Sequence, residues 1–284
     1  MILDKFKLTD RVAIVTGAGT GLGRGMSLAF AEAGAHVVCA ARGAEALEAT
    51  AKEVRARNRK ALVVPTDVTK TDQIDNLVSK TMKEFGRIDV LVNNSGGAYF
   101  IKTLDLTEGE WEGFIRLNLS SVLLLSKAVA RVMVEQKRGN IINISSQASV
   151  GVAKHVSYSA AKAGIISLTR ALAWEWASYN IRVNCIAPGP VLHERTKNFF
   201  SMMPEEVNTA ALCIKRLGTA EDVATAAVYL ASDASAWVTA QTLNIDGGQR
   251  CGYTFDDEVV DMMVAYARPF YWGESGTPGS QWKG

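Results

Sequence analysis

The sequence has few of the residues that bind metal ions or form disulfides. Its 284 residues include only 3 histidines and 4 cysteines. The cysteines lie far apart at Cys39, Cys185, Cys213 and Cys251, and no two of them form a C-x-x-C pair. A chain of this length buries a large core without cross-links, and a zinc site needs clustered ligands. We therefore expect reduced thiols and no metal site.

The sequence also lacks a strong excess of charge and a long apolar run. Lys and Arg number 31 against 29 Asp and Glu, a net charge of +2, so the charge balance does not favour nucleic acid or an anionic membrane as a partner. No uninterrupted apolar run looks long enough to span a bilayer, and the N-terminal sequence MILDKFKLTD lacks the regions of a secretory signal. With 48% hydrophobic residues, general disorder is excluded. We expect a folded, cytoplasmic protein with no nucleic-acid or membrane partner.

What the chain does contain is an alternation of short apolar, β-branched runs and longer segments of helical spacing. The runs are continuously apolar, as expected of parallel strands covered on both faces. The predicted strands span residues 11–16, 36–40, 61–65, 88–92, 140–145, 181–186 and 242–245. The alternation predicts an α/β fold, a Rossmann-like doubly wound parallel sheet with helices on both faces. We expect a single domain over residues 1–250 and an aromatic-rich C-terminal extension over 251–284.

A threonine followed three residues later by an acid marks several predicted helix starts. In such a capping box, each side chain bonds the other residue's backbone N–H. Thr107 with Glu110 fits the motif, and weaker versions of it are Thr69 with Asp72 and Thr219 with Asp222. These pairs predict helices that begin just after residues 69, 107 and 219.

A glycine cluster, TGAGTGLG at 16–23, follows the first predicted strand. Glycine tolerates positive φ and lets backbone N–H groups approach an anion closely. The helix N-terminus behind the cluster carries partial positive charge, which suits a pyrophosphate. Alone, the spacing Gly17-x-x-x-Gly21-x-Gly23 would also fit a tight turn, but its place between a buried strand and a helix favours nucleotide binding. No Gly-Lys-Ser/Thr follows, so the cluster is not a P-loop.

The end of the second predicted strand bears on the choice of cofactor. Many dinucleotide-binding folds place an acid there, about 20 positions beyond the glycines, to bind the adenosine ribose. Here the strand ends in Cys39-Ala40-Ala41-Arg42. A guanidinium pairs with a 2′-phosphate that a carboxylate would repel, so the pattern favours NADP(H), with NAD(H) possible. A solvated charge at a strand end is the alternative for Arg42, and Thr20 brings no second base into the glycine loop.

Four polar residues form a candidate catalytic set. Tyr158 and Lys162 are four residues apart, which on a helix puts both side chains on one face. A nearby ammonium stabilises a phenolate, and such a pair suits proton exchange with a carbonyl or an alcohol. Ser146 ends a predicted strand, at the sheet edge where doubly wound folds bind ligands. Asn118 lies in a long apolar helix expected beneath the same edge, and a satisfied core asparagine is its alternative role.

In combination, these motifs resemble the short-chain dehydrogenase/reductase family, in its single-domain branch, over residues 9–248. The motifs occur here in the family's order, which is far more specific than any one of them. They are TGAGTGLG at 16–23, Asp67-Val68, Asn93-Asn94-Ser95-Gly96, Asn118-Leu119, Ile144-Ser145-Ser146, Tyr158-x-x-x-Lys162, NCIAPG at 184–189 and Asp246-Gly247-Gly248.

The resemblance implies a role for each catalytic candidate. Tyr158 would be the general acid in carbonyl reduction and the base in alcohol oxidation. Lys162 would stabilise the phenolate and bind the nicotinamide ribose. Ser146 would hydrogen-bond the substrate oxygen, with Ser145 in reserve because it would restore the family's usual Ser–Tyr interval. Asn118 would position a water in the proton relay behind Lys162.

The resemblance also implies a cofactor site. Asp67 and Val68 would flank the adenine, Asn93 and Gly96 would line the cofactor, and residues 188 and 189 would shape the nicotinamide pocket. The complete set expected to bind the cofactor is Gly17, Thr20, Gly21, Leu22, Gly23, Arg42, Asp67, Val68, Asn94, Ser95, Gly96, Tyr158, Lys162, Pro188, Gly189 and Val191.

After Pro188 the chain departs from the family pattern. The family often has a threonine that touches the carboxamide four residues beyond its Pro-Gly pair, and His193 stands there instead, with Thr196 as an open alternative. Residues 190–215 correspond to the family's substrate lid. Phe199, Phe200, Met202 and Met203 lie in this segment. Such side chains give an adaptable apolar surface, which favours a hydrophobic or ring-bearing substrate, although ordinary packing explains them equally well.

The sequence therefore predicts an NAD(P)(H)-dependent oxidoreductase that interconverts a secondary alcohol and a ketone, with NADP(H) favoured. The alternatives are an enoyl-thioester C=C reductase on the same fold and a non-catalytic NADP-sensing protein. The resemblance also implies a homotetramer or homodimer, assembled through the long helices that carry Asn118 and Tyr158. Trp174 and Trp176 fit an interface and a core position equally. We expect the extension 251–284 to pack on its own domain or on a neighbour.

Overall fold

One parallel sheet organises the chain. The computed structural model describes residues 1–97, 100–152 and 155–249, so the predicted extension lies outside the described residues. The strands are β1 (Val12–Thr16), β2 (His36–Ala41), β3 (Ala61–Pro65), β4 (Val90–Asn93), β5 (Gly139–Ile144), β6 (Ile181–Pro188) and β7 (Thr242–Ile245). They pair in parallel in the order β3-β2-β1-β4-β5-β6-β7. The predicted doubly wound α/β sheet is confirmed.

Helices cover both faces of this sheet. They are α1 (Gly21–Glu32), α2 (Ala44–Ala56), α3 (Thr71–Phe85), α4 (Glu108–Ile115), α5 (Ser121–Gln136), α6 (Val156–Trp176), α7 (Lys197–Phe200), α8 (Glu205–Thr209) and α9 (Ala220–Ala231). Short 3₁₀ turns lie at Ile2–Phe6, Thr103–Asp105, Gln147–Val150, Ala177–Tyr179 and Asp233–Ser235. Buried residues of α1, α2 and α9 pack on one face, and those of α3, α5 and α6 pack on the other.

The strand order places a crevice between β1 and β4. The chain builds outward from β1 to β3, then crosses back to begin the other half of the sheet at β4. Loops that leave neighbouring strands in opposite directions at such a point open a ligand-binding crevice at the carboxyl ends of the strands. The predicted residues that follow β1, β4, β5 and β6 therefore lie at this edge of the sheet, and those that follow β2 and β3 lie further along the same edge.

Two of the three predicted capping boxes form. Thr107 and Thr219 each accept a hydrogen bond from the backbone of the acid three residues later, at the starts of α4 and α9. The prediction at Thr69 was wrong, because its hydroxyl donates to Asp67 at 2.7 Å and α3 begins two residues later, at Thr71. Thr69 therefore hydrogen-bonds the Asp67 carboxylate and does not cap α3.

One helix is long and apolar enough to be a candidate membrane span, although Lys127 and Arg131 interrupt its apolar run. A π-helical turn, Arg116–Ser120, joins α4 to α5 into a continuous helix, Glu108–Gln136. By length and composition alone this helix could cross a bilayer, because an 18-residue window within it has a mean hydropathy of 1.5. Its apolar side chains have another place in the fold, since Leu125, Val129 and Met133 are buried in the core beside the sheet.

Candidate active site

The glycine cluster forms the turn between β1 and α1. Gly17 and Gly21 have φ values of +67° and +54°, a backbone region in which other residues are strained. Gly23 is needed for a different reason, because a Cβ there would collide with the carbonyl oxygen of Gly17. Thr20 precedes the first residue of α1, and Leu22 in the first turn packs against the core. The turn thus brings bare backbone N–H groups to the N-terminus of a helix.

Thr16 joins the end of β4 to this turn. Its hydroxyl donates to the Val92 carbonyl at 3.1 Å and accepts from the backbone N–H groups of Asn94 and Ser95, both at 2.9 Å. The Asn94 side chain in turn donates to the Thr16 carbonyl at 2.8 Å. The two predicted cofactor segments, one after β1 and one after β4, are therefore held side by side.

Asn118 fixes the rest of the loop after β4. It lies fully buried in the π-helical turn, a local geometry that is frequent at functional sites. Its amide donates to the carbonyls of Gly97 and Phe114, both at 3.0 Å, and accepts from the Gly97 N–H at 3.1 Å. A Cβ at Gly96 would lie only 2.8 Å from the Asn118 carbonyl oxygen, so the loop and the helix meet without a side chain between them.

Tyr158 and Lys162 lie one turn apart on α6 and face the same edge of the sheet. The Lys162 ammonium is 5.3 Å from the centre of the Tyr158 ring. Lys162 is buried, and its Nζ donates to the carbonyl of Ile144, the last residue of β5, at 2.7 Å. A buried ammonium needs such partners, and this one holds it beside the phenol at the carboxyl edge.

The two serines after β5 have different surroundings. Ser145 is buried, and its hydroxyl donates to the Lys162 carbonyl at 2.7 Å. Ser146 is half-buried, and its hydroxyl accepts from the Ala148 N–H at 3.1 Å as it caps the turn Gln147–Val150. One hydroxyl is thus bound to the backbone of α6, whereas the other lies at the more open edge of the site.

The ends of β2 and β3 carry the residues expected at the adenosine half of a dinucleotide. Arg42 is exposed after β2, and Val68 is buried after β3. The backbone N–H and the hydroxyl of Thr69 donate to Asp67 at 2.9 and 2.7 Å. These bonds lower the pKa of Asp67, and the attraction of Arg42 adds to the effect. Arg42 and Asp67 therefore act on each other across the strand ends.

The segment after β6 starts close to β7. A Cβ at Gly189, just after Pro188, would lie 2.6 Å from the Asp246 Cα. Val191 is buried and pairs in parallel with Gly218. The Thr196 hydroxyl donates to the Val191 carbonyl at 2.7 Å and accepts from the His193 N–H at 3.0 Å. The Thr196 hydroxyl, the alternative to the family's threonine, is therefore hydrogen-bonded within its own turn.

Sequence reasoning missed a contact between the 190–215 segment and the glycine turn. The Gly21 N–H donates to the Glu194 carboxylate at 3.2 Å. A Cβ at Gly21 would lie 3.1 Å from His193 Nδ1. Hydrogen bonds from the backbone N–H groups of Glu194 itself and of Gly21 lower the pKa of this glutamate. No local pattern foretells such a contact, which joins positions 173 residues apart.

A buried polar network beneath the site was also missed. The Asn93 amide donates to the Ser126 hydroxyl at 2.9 Å and to the Asn143 carbonyl oxygen at 2.8 Å. Asn143 then donates to the Thr169 hydroxyl at 2.9 Å. The network links β4 and β5 to α5 and α6. The Asn93 side chain is therefore directed into the core, away from the edge where Gly96 lies.

A row of aromatic rings extends from Tyr158 towards the 190–215 segment. His155 lies edge-on to Tyr158, with 5.6 Å between ring centres, and stacks on Phe100 at 3.7 Å. Phe100 stacks in turn on Phe199 at 6.1 Å, and Phe199 meets Phe200 edge-on at 5.3 Å. The sequence suggested an apolar lid from Phe199 and Phe200, but it gave no sign that His155 and Phe100 continue the row to the phenol.

Known proteins resemble this chain in sequence and in fold. A family model described as Enoyl-(Acyl carrier protein) reductase matches residues 17–250. The chain is 39% identical over 246 residues to the NAD-dependent glycerol dehydrogenase of Listeria innocua, covering 86% of this chain and 95% of that protein. It is 40% identical over 244 residues to a 3-oxoacyl-[acyl-carrier-protein] reductase of Synechocystis, covering 85% and 97%. The crystal structure of a short-chain type dehydrogenase/reductase from Mycobacterium marinum matches with a TM-score of 0.84 at 34% identity, covering 88% and 100%.

The fold and these relatives define an NAD(P)-dependent oxidoreductase that acts on an alcohol or a carbonyl group. The chain belongs to the short-chain dehydrogenase/reductase family, as the sequence predicted. Its residues fit a dinucleotide, because the glycine turn offers backbone N–H groups. Gly96 and Gly189 let the loops beside this turn pack closely, because a Cβ on either would collide with Asn118 or Asp246.

Proposed function

We propose that this protein interconverts a secondary alcohol and a ketone on a hydrophobic, ring-bearing substrate, with NADP(H) preferred over NAD(H). The observation that carries the proposal is the position of the buried Lys162 ammonium. It lies 5.3 Å from the centre of the Tyr158 ring, and a hydrogen bond to the Ile144 carbonyl holds it there. A charged group so close to a phenol suits proton transfer to or from a substrate oxygen.

In this proposal, the cofactor supplies or accepts the hydride when bound, and the chain's residues handle the proton. Tyr158 gives its hydroxyl proton to the oxygen of a ketone, or takes one from an alcohol. Lys162 stabilises the phenolate that remains. Ser146 hydrogen-bonds the same substrate oxygen, and the bond of Ser145 to the α6 backbone supports this choice. Asn118, next to Gly97 and behind Lys162, helps to return the proton through a water.

The proposed preference for NADP(H) rests on the end of β2. Arg42 is exposed there, at the position where NAD-binding folds often carry an acid. The Asp67 carboxylate across the strand ends is already bonded by Thr69. Arg42 is therefore the side chain best placed to pair with a 2′-phosphate.

The proposed substrate class rests on the row of rings from Tyr158 to Phe200. Aromatic and apolar side chains with few polar groups are typical of sites for apolar small molecules. The 190–215 segment carries the outer end of this row and is proposed as the substrate lid. We also infer a cytoplasmic homotetramer or homodimer, with residues 1–250 as the catalytic domain.

The decisive experiment follows NADPH consumption with a panel of ring-bearing and polyol-type ketones, in the wild type and in Tyr158→Phe. We expect turnover of the apolar ketones and a loss of about 10²- to 10⁴-fold in the variant, the contribution typical of general acid–base catalysis. The dissociation constant for NADPH, measured by fluorescence, should change far less than turnover, because Tyr158 is only one of the residues expected to bind the cofactor. Equal turnover in both proteins would refute the mechanism, and reaction of polyol substrates alone would refute the substrate class.

The same assay tests for reduction of a C=C bond, the activity for which the matching family model is named. An enoyl thioester serves as its substrate. Consumption of NADPH with the enoyl thioester but with no ketone would replace the proposed reaction with that one.

A further inference from the structure

The imidazole of His155 is the first ring beyond Tyr158 in the aromatic row. Its plane makes 61° with the phenol and 15° with the Phe100 ring that covers it. Its backbone is fully used, since the His155 N–H donates to the Val152 carbonyl and its carbonyl accepts from the Ser159 N–H. The position of the ring is thus set by the start of α6, one turn before Tyr158 and on the same side of the helix.

The side-chain nitrogen Nε2 of His155 is buried, and no group in the described part of the chain hydrogen-bonds it. Folded proteins satisfy nearly all buried polar atoms, so one left without a partner needs an explanation. Ordinary packing would place an apolar ring here, as at Phe100 and Phe199. A nitrogen at this place, beside the proposed acid–base group, is best explained by a ligand atom.

The charge of His155 limits which kind of ligand atom can hydrogen-bond its Nε2. Burial lowers the pKa of His155, so the imidazole is neutral near pH 7, with one nitrogen donating and the other accepting. A neutral imidazole suits a hydroxyl or a carbonyl oxygen better than a carboxylate or a phosphate, which call for a cation. The aromatic rings around His155 can also contact the apolar part of such a ligand.

Access to His155 lies through rings that border solvent. Phe100 is 39% exposed and Phe199 is 41% exposed, so a ligand ring can displace them outward and take their stacking contacts. The ring centres of His155 and Tyr158 lie 5.6 Å apart, so one small substrate ring with two oxygen substituents can contact both side chains. One oxygen would then face the phenol and the other the imidazole.

We propose that His155 is a specificity-determining residue that hydrogen-bonds a second, neutral oxygen on the substrate. It thereby selects ring ketones that carry an additional carbonyl or hydroxyl group. This inference rests on the proposed ketone–alcohol reaction at Tyr158, and it adds which member of the ring-bearing class the site prefers.

The test compares two ring ketones that differ only in the second oxygen, cyclohexanone and cyclohexane-1,4-dione, in the wild type and in His155→Phe. The phenylalanine keeps the stacked ring and removes the nitrogen. We expect the ratio of kcat/KM, dione over monoketone, to fall about tenfold, the effect of one lost hydrogen bond. The change should appear in KM for the dione. His155→Gln, which restores a polar group, should recover part of the ratio.

A matched control is Phe199→Leu, which alters the same row of rings without touching a polar atom and should change both substrates alike. An unchanged ratio in His155→Phe, with turnover retained, would overturn the role of His155 and leave the proposed reaction intact. Since the chain has 3 histidines, the His155 resonances can be assigned by their loss in the variant. A change in the imidazole ¹⁵N chemical shift on adding the dione, but not the monoketone, supports the role of His155. If that change occurs without turnover, only the proposed reaction is refuted. If there is no turnover and no change in chemical shift, both proposals are refuted.

Discussion

At the scale of single residues, the adjacent serines after β5 divide a structural task from a chemical one. The Ser145 hydroxyl donates a hydrogen bond to the Lys162 carbonyl and so helps to hold α6 against the sheet. Ser146 caps a short turn through its oxygen at the edge of the site. Replacing each serine by alanine is therefore expected to affect different properties, catalytic activity for Ser146 and the free energy of unfolding for Ser145.

We predict that Ser146→Ala lowers kcat/KM by 10-fold or more, on the order expected for a lost hydrogen bond to a developing charge, and lowers the melting temperature by no more than the loss of one cap on a short turn. Ser145→Ala should cost about 1 kcal/mol of unfolding free energy, or about 2–4 °C in melting temperature, and leave most of the activity. Steady-state kinetics and thermal unfolding of both variants check this pair. Loss of activity in Ser145→Ala alone would reverse the assignment.

Arg42 gives a second prediction at this scale. Its guanidinium is expected to pair with the 2′-phosphate that distinguishes the two cofactors, a charge-assisted bond worth about 1.5–3 kcal/mol. Arg42→Ala should therefore weaken NADPH binding by about 10- to 100-fold and leave NADH binding within about twofold. Fluorescence titration with each cofactor measures both constants. Equal weakening for NADPH and NADH would mean that Arg42 does not read the phosphate.

At the scale of elements, the contact between Glu194 and the first residue of α1 couples the 190–215 segment to the glycine turn. The carboxylate accepts from the Gly21 N–H at 3.2 Å, and a helix N-terminus attracts any anion. A pyrophosphate and this carboxylate would seek the same positive end of α1. Binding of a cofactor is thus expected to loosen the lid from the turn.

We predict that Glu194→Gln binds NADPH about three- to tenfold more tightly at pH 7, because a competing charge near the helix end is removed. The folded-state pKa of Glu194 is lowered. The contact is therefore fully present above the ordinary glutamate pKa and is lost as the pH falls through the lowered value. The affinities of wild type and variant should converge at that acidic end. Weaker binding by the variant at neutral pH would contradict the competition.

The start of α9 offers a prediction of stability alone. Thr219 caps the helix, and Asp222 both completes the capping box and pairs with Arg216 through both carboxylate oxygens. Thr219→Ala should cost about 1 kcal/mol, seen as a drop of about 2–4 °C in melting temperature. Activity at 25 °C should not change. Thr225→Ala, on the exposed side of the same helix, is the control and should melt close to the wild type.

Elements differ in how well the sequence predicts them. Two strands, β3 and β7, have their predicted bounds and the others differ by at most two residues at either end, because continuous apolar runs are local signals. The closeness of Tyr158 and Lys162 was also predictable, since a spacing of four residues on a helix is a local signal. The π-helical turn at Asn118, the Glu194 contact and the Asn93 network were not, because each depends on partners far away in the chain.

At the scale of the whole molecule, two apolar side chains on the long helices stand out. Trp174 on α6 is 82% exposed, and Leu123 on α5 is half-exposed. Trp176, two residues further along α6, is buried in the core. The sequence left open whether each tryptophan lies in the core, and the structure places Trp176 there but not Trp174. Exposed apolar side chains on the proposed assembly helices support a subunit contact there.

We predict that light scattering finds a homotetramer, and that Trp174→Glu shifts the mass towards dimers or monomers, because burying a carboxylate in an apolar interface is costly. Lys52→Glu, an exposed charge reversal on α2, serves as the control and should leave the mass unchanged. A chain lacking residues 251–284 should also assemble less well. A monomeric wild type would refute the assembly.

The crowding around the glycine turn has a consequence for protein engineering and for evolutionary change. A side chain at Gly23 would collide with the Gly17 carbonyl, and one at Gly21 would be strained by the positive φ of that residue and crowded by His193. At the tip of β2 the surroundings are open, since a Cβ on Gly43 would meet no heavy atom within 4 Å in the described residues. Attempts to switch nucleotide preference should therefore randomise the few positions around Arg42 and leave the phosphate cradle untouched.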